Sequence, residues 1–144
     1  MKIIAPTQPD DWAQYYRLRY EVLRQPWQQP AGSERSPDDA TATHALLVDE
    51  SGKALGVGRL HQHAPEEAQI RFMAIRPDQQ GKGLGNLILK HLEDIARQWQ
   101  VKQLTLQARE NALNFYRRNG YKEIEKSHVL FGEIQHYKMA KDII

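Results

Sequence analysis

The spacing of apolar residues divides the chain into short, alternating elements. Leu84, Leu87, Ile88, Leu92, Ile95 and Trp99 recur at helical steps and predict an amphipathic helix, the strongest periodic signal present. Trp12, Tyr15, Leu18, Val22 and Leu23 predict an earlier helix, capped by Asp10 or Asp11 and running to about Arg24. Strand-like runs occupy residues 2–5, 44–48, 54–63, 68–75, 101–107, 121–126 and 134–140. The turn Asp49-Glu50-Ser51-Gly52 joins two of them as a hairpin. A short helix over 111–119 ends at Gly120, where a positive φ is wanted. Between Pro26 and Thr43 the prolines, serines and Gly32 predict a long loop, of the kind that often forms a substrate wall. The order β-α-(α)-β-β-β-α-β-α-β-β contains no repeat and no linker. It predicts a mixed α/β sheet with helices on its faces, in a single domain spanning residues 1–144.

Composition narrows the class without naming it. The chain has 144 residues, 20 basic and 18 acidic side chains and a formal net charge of +2, too balanced to argue for nucleic acid or a membrane surface. It has no cysteine, which excludes disulfides, thiolate-held metal centres and thiol catalysis. Without a signal-like segment or an apolar run of roughly 18 residues, the expected setting is the cytoplasm. His61 and His63 alternate on one strand face, but no third ligand completes a metal set.

The candidate chemistry lies at one junction. Gly81, Gly83 and Gly85 fall within Gln80-Gly81-Lys82-Gly83-Leu84-Gly85-Asn86, after a strand and at the start of the best helix. Such a junction aims unpaired backbone N–H groups and the positive helix end at one spot, which suits phosphate. The P-loop pattern is absent, and the third glycine comes one position too early for the dinucleotide fingerprint.

The segment does fit [RQ]-x-x-G-x-[GA], and here the chain resembles the GNAT N-acetyltransferase superfamily. A second block, Asn111-Ala112-Leu113-Asn114-Phe115-Tyr116-Arg117-Arg118-Asn119-Gly120-Tyr121, resembles that family's later Asn/Tyr segment, with a shorter Asn-to-Tyr spacing. The tail Gly132-Glu133-Ile134-Gln135-His136 and the stretch Leu18-Arg19-Tyr20-Glu21-Val22-Leu23 are similar to those of small bacterial members of the ElaA type.

The resemblance implies a GNAT fold: a mostly antiparallel sheet of six to seven strands, flanked by helices and splayed at two central parallel strands. It implies acetyl-CoA as co-substrate, no metal, and direct acetyl transfer in a ternary complex. The acceptor would be a primary amine on a small molecule, a peptide N-terminus or a lysine. Gln80, Gly81, Lys82, Gly83, Leu84, Gly85 and Asn86 would hold the pyrophosphate. Met73, Ala74 and Ile75 would offer main-chain groups to the pantetheine arm, and Asn111 would bond the cofactor near its sulfur. Asn111 is equally suited to capping the short helix. Tyr116 would protonate the departing thiolate.

The base is less defined. Many relatives place a glutamate before the glycine loop, but this chain has Gln69-Ile70-Arg71-Phe72, and arginine cannot accept the proton. His136 is the first candidate, ahead of Glu133, Glu21 and His128. Arg19 and Glu21 are expected on the substrate side, and Arg19 and Arg24 could meet an acidic group on the acceptor. Two alternatives stay open: a non-catalytic acyl-CoA sensor, and an acyltransferase similar to the acyl-homoserine-lactone synthases. Relatives are often dimers, so a homodimer is a further expectation.

Overall fold

A computed structural model describes residues 1–143. Seven strands form one sheet in the order β1-β2-β3-β4-β5-β7-β6. They are β1 (Lys2–Ile4), β2 (Thr43–Val48), β3 (Ala54–Ala64), β4 (Glu67–Ile75), β5 (Gln103–Arg109), β6 (Lys122–Leu130) and β7 (Ile134–Asp142). Every neighbouring pair is antiparallel except β4 and β5. The predicted element order and mixed α/β class are those observed.

Three helices accompany the sheet: α1 (Pro9–Leu23), α2 (Leu84–Gln98) and α3 (Leu113–Arg118). The sheet is covered on both faces, and β2 displays the reason in its sequence. Successive side chains of a strand point to opposite faces. Ala45 and Leu47 join the core beneath α2, with Ile88, Leu89 and Leu92. Leu46 and Val48 join the core beneath α1, with Tyr15, Leu18 and Leu23. Each of these large apolar side chains contributes about 1.5–3 kcal/mol by leaving water. Gly58 lets α2 lie close to β3, since a Cβ there would come within 2.8 Å of Ile88 and of the Met73 sulfur.

Three local expectations change. Helix α1 is preceded by Gln8 as its cap residue, and Asp11 instead accepts the backbone N–H groups of Thr7 and Gln8. Asn111 lies in a 3-10 turn, Glu110–Ala112, ahead of α3, and so does not cap the helix. Strand β6 runs on to Leu130, four residues further than its apolar pattern indicated, because pairing with β7 continues through polar positions. The long loop holds two 3-10 turns, Gln25–Trp27 and Pro37–Thr41. No helix among the described residues is long and apolar enough to cross a membrane.

The one parallel pair creates the opening. Strands β4 and β5 are paired only from Glu67↔Gln103 to Ile70↔Leu106. Beyond that point Phe72 has φ 56°, and the register with β3 shifts between Val57 and Arg59. This β-bulge bends β4 away from β5. The strand ends therefore splay apart, so Met73–Ile75 have no partner on β5.

Candidate active site

The glycine loop follows β4 through the 3-10 turn Pro77–Gln79. The Gln80 side chain donates to the Ile75 carbonyl at 3.1 Å and ties the loop back to the strand. Gly81 and Gly83 both have φ 79°, a conformation that costs a residue with a Cβ about 1–2 kcal/mol. Helix α2 starts at Leu84 with no side-chain cap, so its first N–H groups stay open to a ligand. Gly85 has a different task. A Cβ there would come within 3.1 Å of the Phe115 ring, so this glycine admits the packing of α3 against α2. Asn86 accepts a bond from Asn119 at 3.0 Å, which fastens the same two helices. Lys82 reaches Gln79 and remains exposed.

The loop borders a groove of about 540 Å³, which Met73, Ala74, Ile75, Asn111 and Tyr116 also line. A second cavity, of about 330 Å³, is lined by residues 69–73 of β4 and 106–109 of β5. Both are lined by Leu23, Met73, Arg109, Ala112 and Tyr116, so they meet at these residues. Tyr116 is buried at this junction, edge-on to Phe115 and Tyr121. Its hydroxyl makes no hydrogen bond to any described side chain. Burial pushes its pKa up against the opposing influence of Arg109, so it holds its proton as a donor.

His136 lies on β7, opposite Arg109 of β5, and lines the second cavity. Its Nδ1–H donates to the Ile134 carbonyl at 3.0 Å. A carbonyl can only accept, so the lone pair sits on Nε2. Burial lowers its pKa, with smaller contributions in the same direction from His128 and Arg109, despite the Ile134 carbonyl. The neutral ring is stacked on His128, with centroids 4.4 Å apart. Of the four candidate bases, His136 is the one that is buried and lines the cavity, with Nε2 free. His128 is exposed at the cavity wall, while Glu133 is exposed outside its lining.

The two substrate-side expectations on α1 fall elsewhere. Arg19 is fully buried and bonds Asp39 at 2.9 Å, in a network with Arg59, Tyr15 and His44 that leaves the Nε atoms of the two arginines unpartnered among the described residues. Glu21 faces a separate groove beside Arg17, Arg76 and Asp78. Neither lines the second cavity.

Residues passed over in the sequence do line it. Gln69 and Arg71 on β4, with Gln107 and Arg109 on β5, repeat one Gln-x-Arg pattern on two adjacent parallel strands. Period-2 geometry puts each Gln and Arg on one face. The side-chain oxygen of Gln107 is buried without a hydrogen-bond partner. The Gln-x-Arg repeat was the available signal, although the parallel register sets the two copies two residues apart, with Gln69 opposite Thr105.

A sheet split at its one parallel pair, with a glycine loop and helix start on one side and a proton-holding tyrosine at the fork, is the framework of an N-acyltransferase. The chain belongs to the acetyltransferase (GNAT) family, whose model matches residues 11–121. It is 24% identical over 142 residues to the uncharacterized N-acetyltransferase YjcF of Bacillus subtilis, covering 99% of this chain and 100% of that one. Among solved structures, Escherichia coli ElaA superposes with a TM-score of 0.80 at 19% identity, covering 97% of each chain. An aminoglycoside 6'-N-acetyltransferase complexed with coenzyme A superposes with a TM-score of 0.82 at 16% identity, covering 100% of this chain and 98% of that one.

Proposed function

We propose that the protein transfers the acetyl group of acetyl-CoA directly to a primary amine, with one co-substrate in the glycine-loop groove and the other in the second cavity. The observation that carries this is the meeting of a glycine-loop groove and a second cavity at Tyr116. The open N–H groups at the start of α2 suit a pyrophosphate, and Gly81 has nothing within 4 Å of where a Cβ would stand. The exposed edge at Met73–Ile75 suits the amide groups of pantetheine, which would pair with it as an added strand.

In the reaction, the neutral amine attacks the thioester carbonyl carbon, forming the C–N bond and a tetrahedral oxyanion. Collapse of that intermediate breaks the C–S bond. His136 Nε2 takes the proton lost by the amine, and the Tyr116 hydroxyl supplies one to the departing sulfur. The chain has no cysteine, so no acyl-thioester forms on the protein. Calorimetry with CoA and thiol release from acetyl-CoA over an amine panel test the reading. Saturable CoA binding with amine-dependent thiol release supports it. Tight binding without release would favour a sensor.

A further inference from the structure

We propose that the acceptor is a small amine carrying a carboxylate, which Arg24, Arg71 and Arg109 hold in the second cavity. The proposal rests on the acyltransferase reading of the site and adds the chemical class of the acceptor. All three arginines line the cavity, and each is half-buried. None has a carboxylate partner among the described residues. Arg24 donates to the carbonyls of Ser33 and Leu23, and Arg109 to that of Leu23. Arg71 has no hydrogen-bond partner among the described residues.

Each guanidinium lies within cation–π distance of an aromatic ring. Arg71 lies 4.5 Å from the centre of Phe72, Arg109 lies 4.5 Å from Trp27, and Arg24 lies 5.4 Å from Phe131. A ring at this distance attracts the cation without using its N–H groups, which stay available to an anion. The charges also act on one another. Burial followed by the nearby Arg24 pushes Arg109 down to about 10, and burial followed by Arg71 and Arg19 lowers Arg24. Three cations held close in a half-dry cavity are costly alone and complementary to an anionic ligand.

A carboxylate suits this arrangement because its two oxygens match the arginine fork. The amine end has its own partners on the same cavity wall. The unpartnered Gln107 oxygen would accept an N–H, and His136 Nε2 would take the proton. A positive surrounding disfavours the ammonium form, so it assists the deprotonation that attack on acetyl-CoA needs. The same field repels polycationic amines.

The test is a calorimetric titration of the free and CoA-loaded protein, run beside acetyl-CoA turnover. The probes are the common L-amino acids, their C-terminal amides, phosphoethanolamine and spermidine. Each amide lacks the carboxylate and has the less basic amine, so it would react faster if the carboxylate did nothing. At least one amino acid is expected to bind and to exceed its amide by tenfold or more in kcat/KM. Arg71→Gln should lower kcat/KM for the amino acid by roughly 10- to 100-fold and for its amide by a clearly smaller factor, since the amide loses only the field of the charge. Arg71→Lys, which keeps the charge and loses the fork, should fall between.

Equal or better use of amides, preference for phosphoethanolamine or spermidine, equal effects of Arg71→Gln on acids and amides, or no binding of any amino acid would each overturn the proposal. Failure to bind CoA would instead refute the acyltransferase reading. The carboxylate titration of the free protein needs no acetyl transfer and would still be read.

Discussion

The network around Asp39 and the second cavity contain the same residue types in opposite states. In the network, Arg19 and Arg59 share Asp39, and Arg59 also reaches Asp38 at 2.6 Å. The Tyr15 hydroxyl donates to His44 Nδ1 at 2.7 Å and accepts from Arg19 at 2.9 Å, while His44 Nε2–H donates to the Asp39 carbonyl. Around the cavity, Arg71 lacks a hydrogen-bond partner, the Tyr116 hydroxyl bonds no described side chain, and His136 keeps one nitrogen open. Tyrosine, histidine and arginine thus occur once bonded to one another and to Asp39, with the Arg19 and Arg59 Nε atoms left over, and once with spare valence around the cavity. Closed groups stabilise; open ones are available to a substrate.

The pKa shifts follow the same division. Burial alone would raise Asp39, but the Ser36 N–H together with Arg19 and Arg59 outweighs it and holds the carboxyl below its usual range. Burial would lower Arg59, yet its bonds to Asp38 and Asp39 carry it upward. Arg71 is lowered by burial and then by Arg59, and the more distant charges of Asp38 and Asp39, which do not bond it, offset this only in part.

The largest expected effect is on the closed side. Asp39→Ala leaves two buried guanidiniums without their shared partner and should destabilise the fold by about 3–5 kcal/mol in urea unfolding. A loss below about 1 kcal/mol would show that Asp39 does not neutralise the two arginines. On the open side, Tyr116→Phe should lower kcat by about 100-fold. Its stability should stay within about 0.5 kcal/mol of the parent.

Tyr15→Phe sharpens the contrast, because it removes a hydroxyl from Arg19 and His44. It should cost about 1–3 kcal/mol in the same unfolding assay. Gly83→Ala, at the loop's positive φ, should cost about 1–2 kcal/mol and weaken CoA binding. The smallest effect belongs to Arg71→Gln, whose stability should change by no more than about 0.5 kcal/mol despite the loss of a half-buried charge. A larger loss would mean that Arg71 belongs with the closed set.

Acidity separates the two histidines by readout. Burial lowers both His44 and His136 below the ordinary histidine value. The unfolded chain therefore binds protons at a pH where the folded chain does not. Stability conferred by neutral burial is fully present above the ordinary value and falls as pH drops toward the folded pKa. His44→Gln should flatten that slope in unfolding measured across pH. For His136 the same shift predicts an acid limb of kcat/KM lying below that of an exposed histidine. His136→Gln should abolish this limb, and an unchanged profile would remove His136 as the base.

Local signals were legible in the chain. The helical stripe from Leu84, the strand before it and the glycines between them are set by neighbours a few residues apart, so spacing alone revealed them. Gly85 shows where this stops: its place in the motif suggested a phosphate contact, whereas its neighbour is the Phe115 ring, thirty residues along. Arg19 and Arg71 show it more sharply. Both are arginines among apolar residues, and nothing local distinguishes them.

What the sequence determined by itself was the order of elements, the glycine loop and the family that loop belongs to, because backbone propensity and hydrophobic period are short-range properties. What only the tertiary structure decided was which charges are neutralised. Arg19 meets Asp39 across twenty residues of chain, while Arg24, Arg71 and Arg109 converge from a helix end and two strands without a carboxylate. Charge pairing depends on distance in space and on the local dielectric, and neither is written in the spacing of residues.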